Sequence, residues 1–287
     1  MMNYVRMIGL LFLVVLTGCQ SSQNQGTIAF SRLTGDYWQL WTAQPNGKGS
    51  SQLTSSPSDK RYPCWSRQDN RLFYRNNNNQ AFVLDVQSAD ETRILNQLGM
   101  ISSLEESPDG KQLLLVRFRT ELKDSSDIWL VSHDGKARTR LTSDVGMQYD
   151  PSWSPDGTKM ALISGPGYQG HELYIMDADG KNRQQLTDDK ALELLPCFSP
   201  DGQMIAYVSD IAGNYDIWLR DADGANPRQL TQYPGMDTRP CWSPDGKKLL
   251  FVSDRSGQQQ LWIMDLNGNK AKQLTHGPQS MDPAWKP

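Results

Sequence analysis

One short motif recurs five times along the chain, its serines 41 to 47 residues apart, and that period restricts the fold more than any other feature. Three copies are intact behind an aromatic: Trp153-Ser154-Pro155-Asp156-Gly157, Phe198-Ser199-Pro200-Asp201-Gly202 and Trp242-Ser243-Pro244-Asp245-Gly246. Glu106-Ser107-Pro108-Asp109-Gly110 has lost the aromatic, and Trp65-Ser66-Arg67-Gln68-Asp69 has lost the turn. Trp285-Lys286-Pro287 begins a further unit. A period of this size marks a stacked or radial array of one supersecondary unit, each too small to bury its apolar face alone.

Each unit reads as four antiparallel strands. In the clearest, Pro240-Cys241-Trp242 ends a strand, and Ser243-Pro244-Asp245-Gly246 turns the chain. Proline presets the backbone angle at the second turn position, and glycine accepts the left-handed conformation that follows. Leu249 to Ser253 and Leu261 to Met264 are apolar runs of strand length, joined by a loop, and Lys272-Gln273-Leu274-Thr275 closes the unit. Four strands make one propeller blade. Near the start of the chain, Thr27 to Ser31, Gln39 to Trp41 and Ser51 to Thr54 match the second, third and fourth strands, while Asp282 to Trp285 match the missing first. The expected fold is therefore an all-β, six-bladed propeller over residues 27–287, closed by N- and C-terminal strands that share one blade. Closure removes the open sheet edges that a linear stack would leave. The aromatics Trp65, Trp153, Phe198, Trp242 and Trp285 are expected to pack between blades.

Residues 1–18 read as a signal peptide: Arg6 precedes an apolar run from Ile8 to Leu16, too short to span a bilayer permanently. Leu16-Thr17-Gly18-Cys19 is similar to a bacterial lipobox, which implies that Cys19 is lipidated and that residues 19–26 form a short polar tether. Gln20 after the cysteine implies, by the same resemblance, sorting to the outer membrane with the protein facing the periplasm.

A net charge of −3 and the lack of a basic stripe exclude a nucleic-acid partner. Cys64, Cys197 and Cys241 each stand just before the motif aromatic, where Ser152 and Ala284 stand in other units, so they read as small buried residues. Catalysis is not expected. The Gly-x-Ser-x-Gly nucleophile motif is absent. His133 falls on the opposite rim from His171 and His276, so no histidine cluster for a metal is expected. The Asp-Ala-Asp-Gly runs at 177–180 and 221–224 read as hairpin turns without the later bidentate glutamate of a calcium loop. No cofactor and no metal are expected.

The Trp-Ser-Pro-Asp-Gly turn, the Asp-Ala-Asp-Gly turns and the closing Arg228-Gln229-Leu230-Thr231 resemble the TolB-like β-propeller family. The likeness covers nearly all of the chain after Cys19. It implies a non-catalytic cell-envelope protein whose propeller is a docking scaffold for another periplasmic or outer-membrane protein. That family carries an α/β domain ahead of its propeller, whereas here the propeller begins within eight residues of Cys19. Alternative readings are a scaffold in outer-membrane protein assembly, a propeller enzyme of lyase or glycosidase type, or a small-ligand binder using the channel.

The segments joining each fourth strand to the next first strand gather on one rim of the channel. They mix apolar anchors with charge, the composition of a protein-binding patch. The residues expected to contact a partner are Arg61, Met147, Tyr149, Asp150, Glu193, Leu194, Met236, Asp237, Arg239 and Met281.

Overall fold

The computed structural model describes residues 26–119, 125–166, 170–267 and 270–287; the expected signal peptide, residues 1–18, and Cys19 lie outside them. Over the described residues the chain forms six four-stranded antiparallel sheets. Blade 1 joins Ser280–Trp285 to Ile28–Thr34, Tyr37–Ala43 and Ser51–Gln52. The inner strands of blades 2 to 6 are Arg61–Trp65, Ile101–Glu106, Met147–Trp153, Glu193–Phe198 and Asp237–Trp242, and each is followed outward by its second, third and fourth strands in chain order. Each inner strand touches those of both neighbouring blades, and blade 6 meets blade 1, so the ring closes. The closing pairs include Ile28 with Trp285 and Arg32 with Ser280. The outermost strands are only two or three residues long, which leaves little free edge for another chain to extend.

The aromatic at the end of each inner strand is a wedge between blades. Trp65 packs against Ala29 and Leu40 of blade 1 and Leu72 of its own blade. Trp153 joins blades 3 and 4, Phe198 joins 4 and 5, Trp242 joins 5 and 6, and Trp285 joins 6 and 1. Two indoles also donate across the gap, from Trp65 Nε1 to the Ala284 carbonyl at 3.2 Å and from Trp242 Nε1 to the Cys197 carbonyl at 3.1 Å. Blade 3 breaks the rule with Glu106, which is 1% exposed. Its carboxylate accepts the Arg67 amide at 2.5 Å and lies 3.4 Å from His133 Nε2, so a polar pair fills the wedge position there.

The turn serines do more than punctuate. In blades 3 to 6 the serine hydroxyl donates to the turn aspartate at 2.6 to 2.7 Å and accepts the backbone amide five residues on. The closing Leu-Thr pairs carry a second recurring lock. The hydroxyls of Thr54, Thr142, Thr187, Thr231 and Thr275 accept the third-strand amide fourteen residues earlier at 2.8 to 2.9 Å. A buried amide is thereby satisfied where the fourth strand ends.

Candidate functional site at the loop mouth of the channel

Proline cannot donate to a sheet ladder, yet Pro63, Pro151, Pro196, Pro240 and Pro283 sit inside inner strands. Each is accommodated by a β-bulge, and the inner strand of blade 3 carries one as well. The residue before each proline has a left-handed backbone: Tyr62 (φ 56°), Asp150 (47°), Leu195 (52°), Arg239 (55°) and Asp282 (52°). A bulge leaves one residue unpaired and re-aims its side chain. Here all five re-aimed residues line the central cavity, which has a volume of about 480 Å³. The strain recurs around the ring and belongs to the fold; what is particular to this chain is which side chains are aimed inward.

Three of them meet on one side of the mouth. Asp282 Oδ2 accepts Arg61 Nε at 2.5 Å and Oδ1 lies 3.0 Å from Arg239 Nη1. The Tyr62 amide donates to Asp282 at 3.3 Å, and Arg239 donates to the Tyr62 hydroxyl at 3.3 Å. Guanidinium groups lie 4.0 Å (Arg75), 4.8 Å (Arg239) and 5.2 Å (Arg61) from the centre of the Tyr62 ring, a cation–π arrangement around one aromatic. Burial works to raise the Asp282 carboxyl, but Arg239 and Arg61 outweigh it and hold the group below the usual carboxylate range. Across the channel, burial raises Asp150 against the pull of the Leu195 amide and of Arg239 and Arg75. Three guanidiniums face two carboxylates, so the mouth carries a net positive charge. It is fitted to receive a carboxylate or a carbonyl-rich loop, because guanidinium forks bind planar oxygen pairs in bidentate fashion.

Arg75 is the departure from the repeat that makes this cluster. Its register position on the second strand is filled by Val116, Ile163, Val208 and Val252 in blades 3 to 6, all essentially fully buried. Arg75 Nε has no hydrogen-bond partner among the described residues.

The residues expected at the partner surface divide. Arg61, Asp150 and Arg239 belong to the mouth cluster. Met147, Leu194 and Met281 are half-buried on the inner strands, and Met236 is exposed on the rim. Tyr149 is half-buried and held edge-on to His171, with its hydroxyl hydrogen-bonded to His171 Nδ1. Glu193 and Asp237 depart from expectation: they are 1% and 0% exposed. They open inner strands at a position buried in every blade, and their carboxylates turn inward, to Ser209 Oγ at 2.8 Å and to Arg255 Nη2 at 2.5 Å.

Sequence reasoning does not reach Tyr62, Arg75 or Glu105. The signal for Tyr62 is the recurring X-Pro two residues ahead of the residue before the aromatic. The signal for Arg75 is a charge where four other repeats are aliphatic. Glu105 takes the ring position of Cys64, Ser152, Cys197, Cys241 and Ala284, all lining the channel. Burial pushes its carboxyl up to about 7, against the opposing influence of Arg67 and the Trp153 amide. The three cysteines are free thiols, and burial pushes Cys64 up to about 12 and Cys241 up to about 11. Among the described residues, the one set of three potential metal ligands held close together is made of carboxylates, Glu172, Asp189 and Glu193, at the junction of blades 4 and 5.

The repeat and the ring are shared with known proteins. A family model described as the TolB beta propeller domain matches residues 16–171 and 209–287. A protein TolB homolog from Chlorobium luteolum is 29% identical over 152 residues, 52% of this chain and 34% of that protein, so the match spans about a third of the relative's own length. Among solved structures, TolB from Acinetobacter baumannii superposes with a TM-score of 0.74 at 21% identity, covering 91% of this chain and 66% of the other. A putative TolB from Agrobacterium tumefaciens gives 0.74 at 22% identity, covering 89% of this chain and 91% of the other. With a repeat, a ring of six blades and a family model covering most of its length, the chain belongs to the TolB beta propeller domain family.

Proposed function

We propose that this protein is a non-catalytic scaffold of the cell envelope, anchored to the outer membrane through a lipidated Cys19 and facing the periplasm, whose loop rim docks a protein partner. One observation carries the reading. Among the described residues the exposed large apolar side chains are Tyr37, Met100, Phe118, Val145, Ile211 and Met236, and all six belong to the segments at the loop rim. The opposite rim, made of the Ser-Pro-Asp-Gly turns, has none of them. Exposed apolar groups gathered on one face and surrounding a charged mouth are the composition of a docking surface. The positive mouth then orients an acidic or carbonyl-rich element of the partner, while the apolar groups supply most of the affinity. Fold alone does not choose between binding and catalysis, since one architecture hosts both.

The rim reading is tested by crosslinking the full-length protein in its own cells and identifying what is captured. Val145→Asp combined with Met236→Asp should lower capture more than about tenfold, with the melting temperature changed by no more than about 2 °C because both side chains are exposed. Lys159→Glu on the turn rim should leave capture unchanged. Loss of the partner only on altering the turn rim would place docking on the other face. Turnover of a sugar or peptide, abolished by Asp150→Asn, would replace the binding reading with a catalytic one. The anchor is tested separately: Cys19→Ser should release the protein from the membrane fraction, and retention there would remove lipidation as the anchor.

A further inference from the structure

The repeat supplies its own controls for an unusual carboxylate cluster. In five blades the third-strand residue just before the amide bonded by the closing threonine is polar and buried: Gln39, Asp127, Glu172, Asp216 and Gln260. Gln39 and Gln260 are neutral and donate to loop carbonyls. Asp127 is paired with Arg119 and Arg140. Asp216 accepts from Asn214, Gln229, Thr231 and the Tyr233 amide. Glu172 has no such settlement. Its Oε1 accepts the Asp189 amide at 3.3 Å, and its Oε2 is buried with no hydrogen-bond partner among the described residues.

The neighbouring inner strand repeats the defect. Glu193 spends Oε1 on the Ser209 hydroxyl, and its Oε2 is also buried without a partner among the described residues. The side chains of Glu172 and Glu193 are more than nine-tenths buried, while Asp189 is exposed and opens the cluster to solvent. One carboxylate oxygen from each of the three lies within 4.8 Å of the other two. Three such groups repel one another, and burial, with Asp189, Glu172 and Asp210 adding to it, pushes the Glu193 carboxyl up to about 8.

We propose that Glu172, Asp189 and Glu193 form a calcium site that ties the third strand of blade 4, the 188–192 loop and the inner strand of blade 5 together at the loop rim. Calcium takes oxygen ligands at about 2.3–2.6 Å. Oxygens no more than 4.8 Å apart are therefore within reach of one such ion. Its flexible coordination of 6–8 oxygens accepts carboxylates arriving from three separate elements, with water in the remaining positions. Magnesium demands a smaller, near-octahedral shell and gives up its waters reluctantly, so the site favours the larger ion. The ion supplies the charge that arginine supplies at Asp127, and it pins the 188–192 loop beside Leu194.

The test is thermal melting of the full-length chain after removal of divalent ions with a chelator, then with calcium chloride added. Calcium at about one hundred times its Kd should raise the melting temperature by about 5–10 °C. Sodium chloride at matched ionic strength should not do so, and magnesium should need at least about tenfold higher concentration for the same rise. Asp189→Asn, an exposed change that leaves the fold intact, should melt like the parent in chelator and bind calcium at least about tenfold more weakly by calorimetry. Glu172→Gln should weaken binding in the same direction. No calcium-dependent shift in the parent, an equal shift with sodium, or an unaltered calcium affinity in Asp189→Asn would each overturn the site.

Discussion

Glu105 shows how much one side chain in a ring can depend on its neighbours. Other blades place a thiol, a hydroxyl or a methyl at its position; here a carboxyl sits half-buried on the channel wall, and burial holds it at about 7. Folding raises this group above its ordinary value of 4.5, so between these values the folded chain binds more protons than the unfolded one. Its contribution to stability is therefore full below about pH 4.5 and is lost as the pH rises through 7. Glu105→Gln should accordingly gain melting temperature relative to the parent as the pH moves from 5 to 8. A difference that stays constant with pH would show that the carboxyl titrates as it does in water. Asp282 works the other way: Arg239 and Arg61 outweigh its burial and hold the carboxyl below its ordinary range.

At the scale of the element, the closing strand is informative because it is so short. Two paired residues cannot by themselves hold an edge, and the threonine that follows does it by hydrogen bonding. In blade 6 the Thr275 hydroxyl accepts the Leu261 amide at 2.9 Å and donates to Gln260 Oε1 at 2.6 Å. Thr275→Val keeps the shape and strands both buried partners, so it should cost about 2–3 kcal/mol in denaturant unfolding. A cost below about 0.5 kcal/mol would mean that water replaces the hydroxyl. The inner strands show the complementary rule. Their prolines would end an ordinary central strand, and the bulge turns that defect into a means of aiming Tyr62, Asp150, Arg239 and Asp282 at the channel.

The whole molecule stands or falls on its ring. Blade 1 takes its inner strand from the far end of the chain, and Trp285 packs in the same cluster as Ile28 and Phe30 and as Leu250 and Val252 of blade 6. Trp285→Ala should therefore cost about 3–5 kcal/mol. Truncation after Ser280 removes the strand that pairs with Ile28–Thr34 and should lower the melting temperature further still. A truncated protein that melts with the parent would show that the shared blade contributes nothing to the ring.

The blade plan, the count of six and the terminal closure were legible in the sequence because they rest on local rules repeated at a fixed interval. A turn needs its proline and glycine, a strand needs its apolar run, and a ring needs the strand missing from one end to appear at the other. Arg61 and Arg239 were legible as charges in the segments that join one blade to the next. The mouth itself was not. Arg75 joins it from a second strand whose copies in blades 3 to 6 are aliphatic; strand pairing within blade 2 sets it by Tyr62, and the packing of blade 2 against blade 1 brings it to Asp282. Glu193 and Asp237 read as surface charges in sequence, yet register buries them: they share the position five residues before the wedge, where Lys60, Ile101, Gln148 and Ser280 are buried in the other blades. Glu172, Asp189 and Glu193 stand in three separate elements. Sequence spacing places them near one another along the chain, but only the meeting of two blades turns their carboxylates onto a common point.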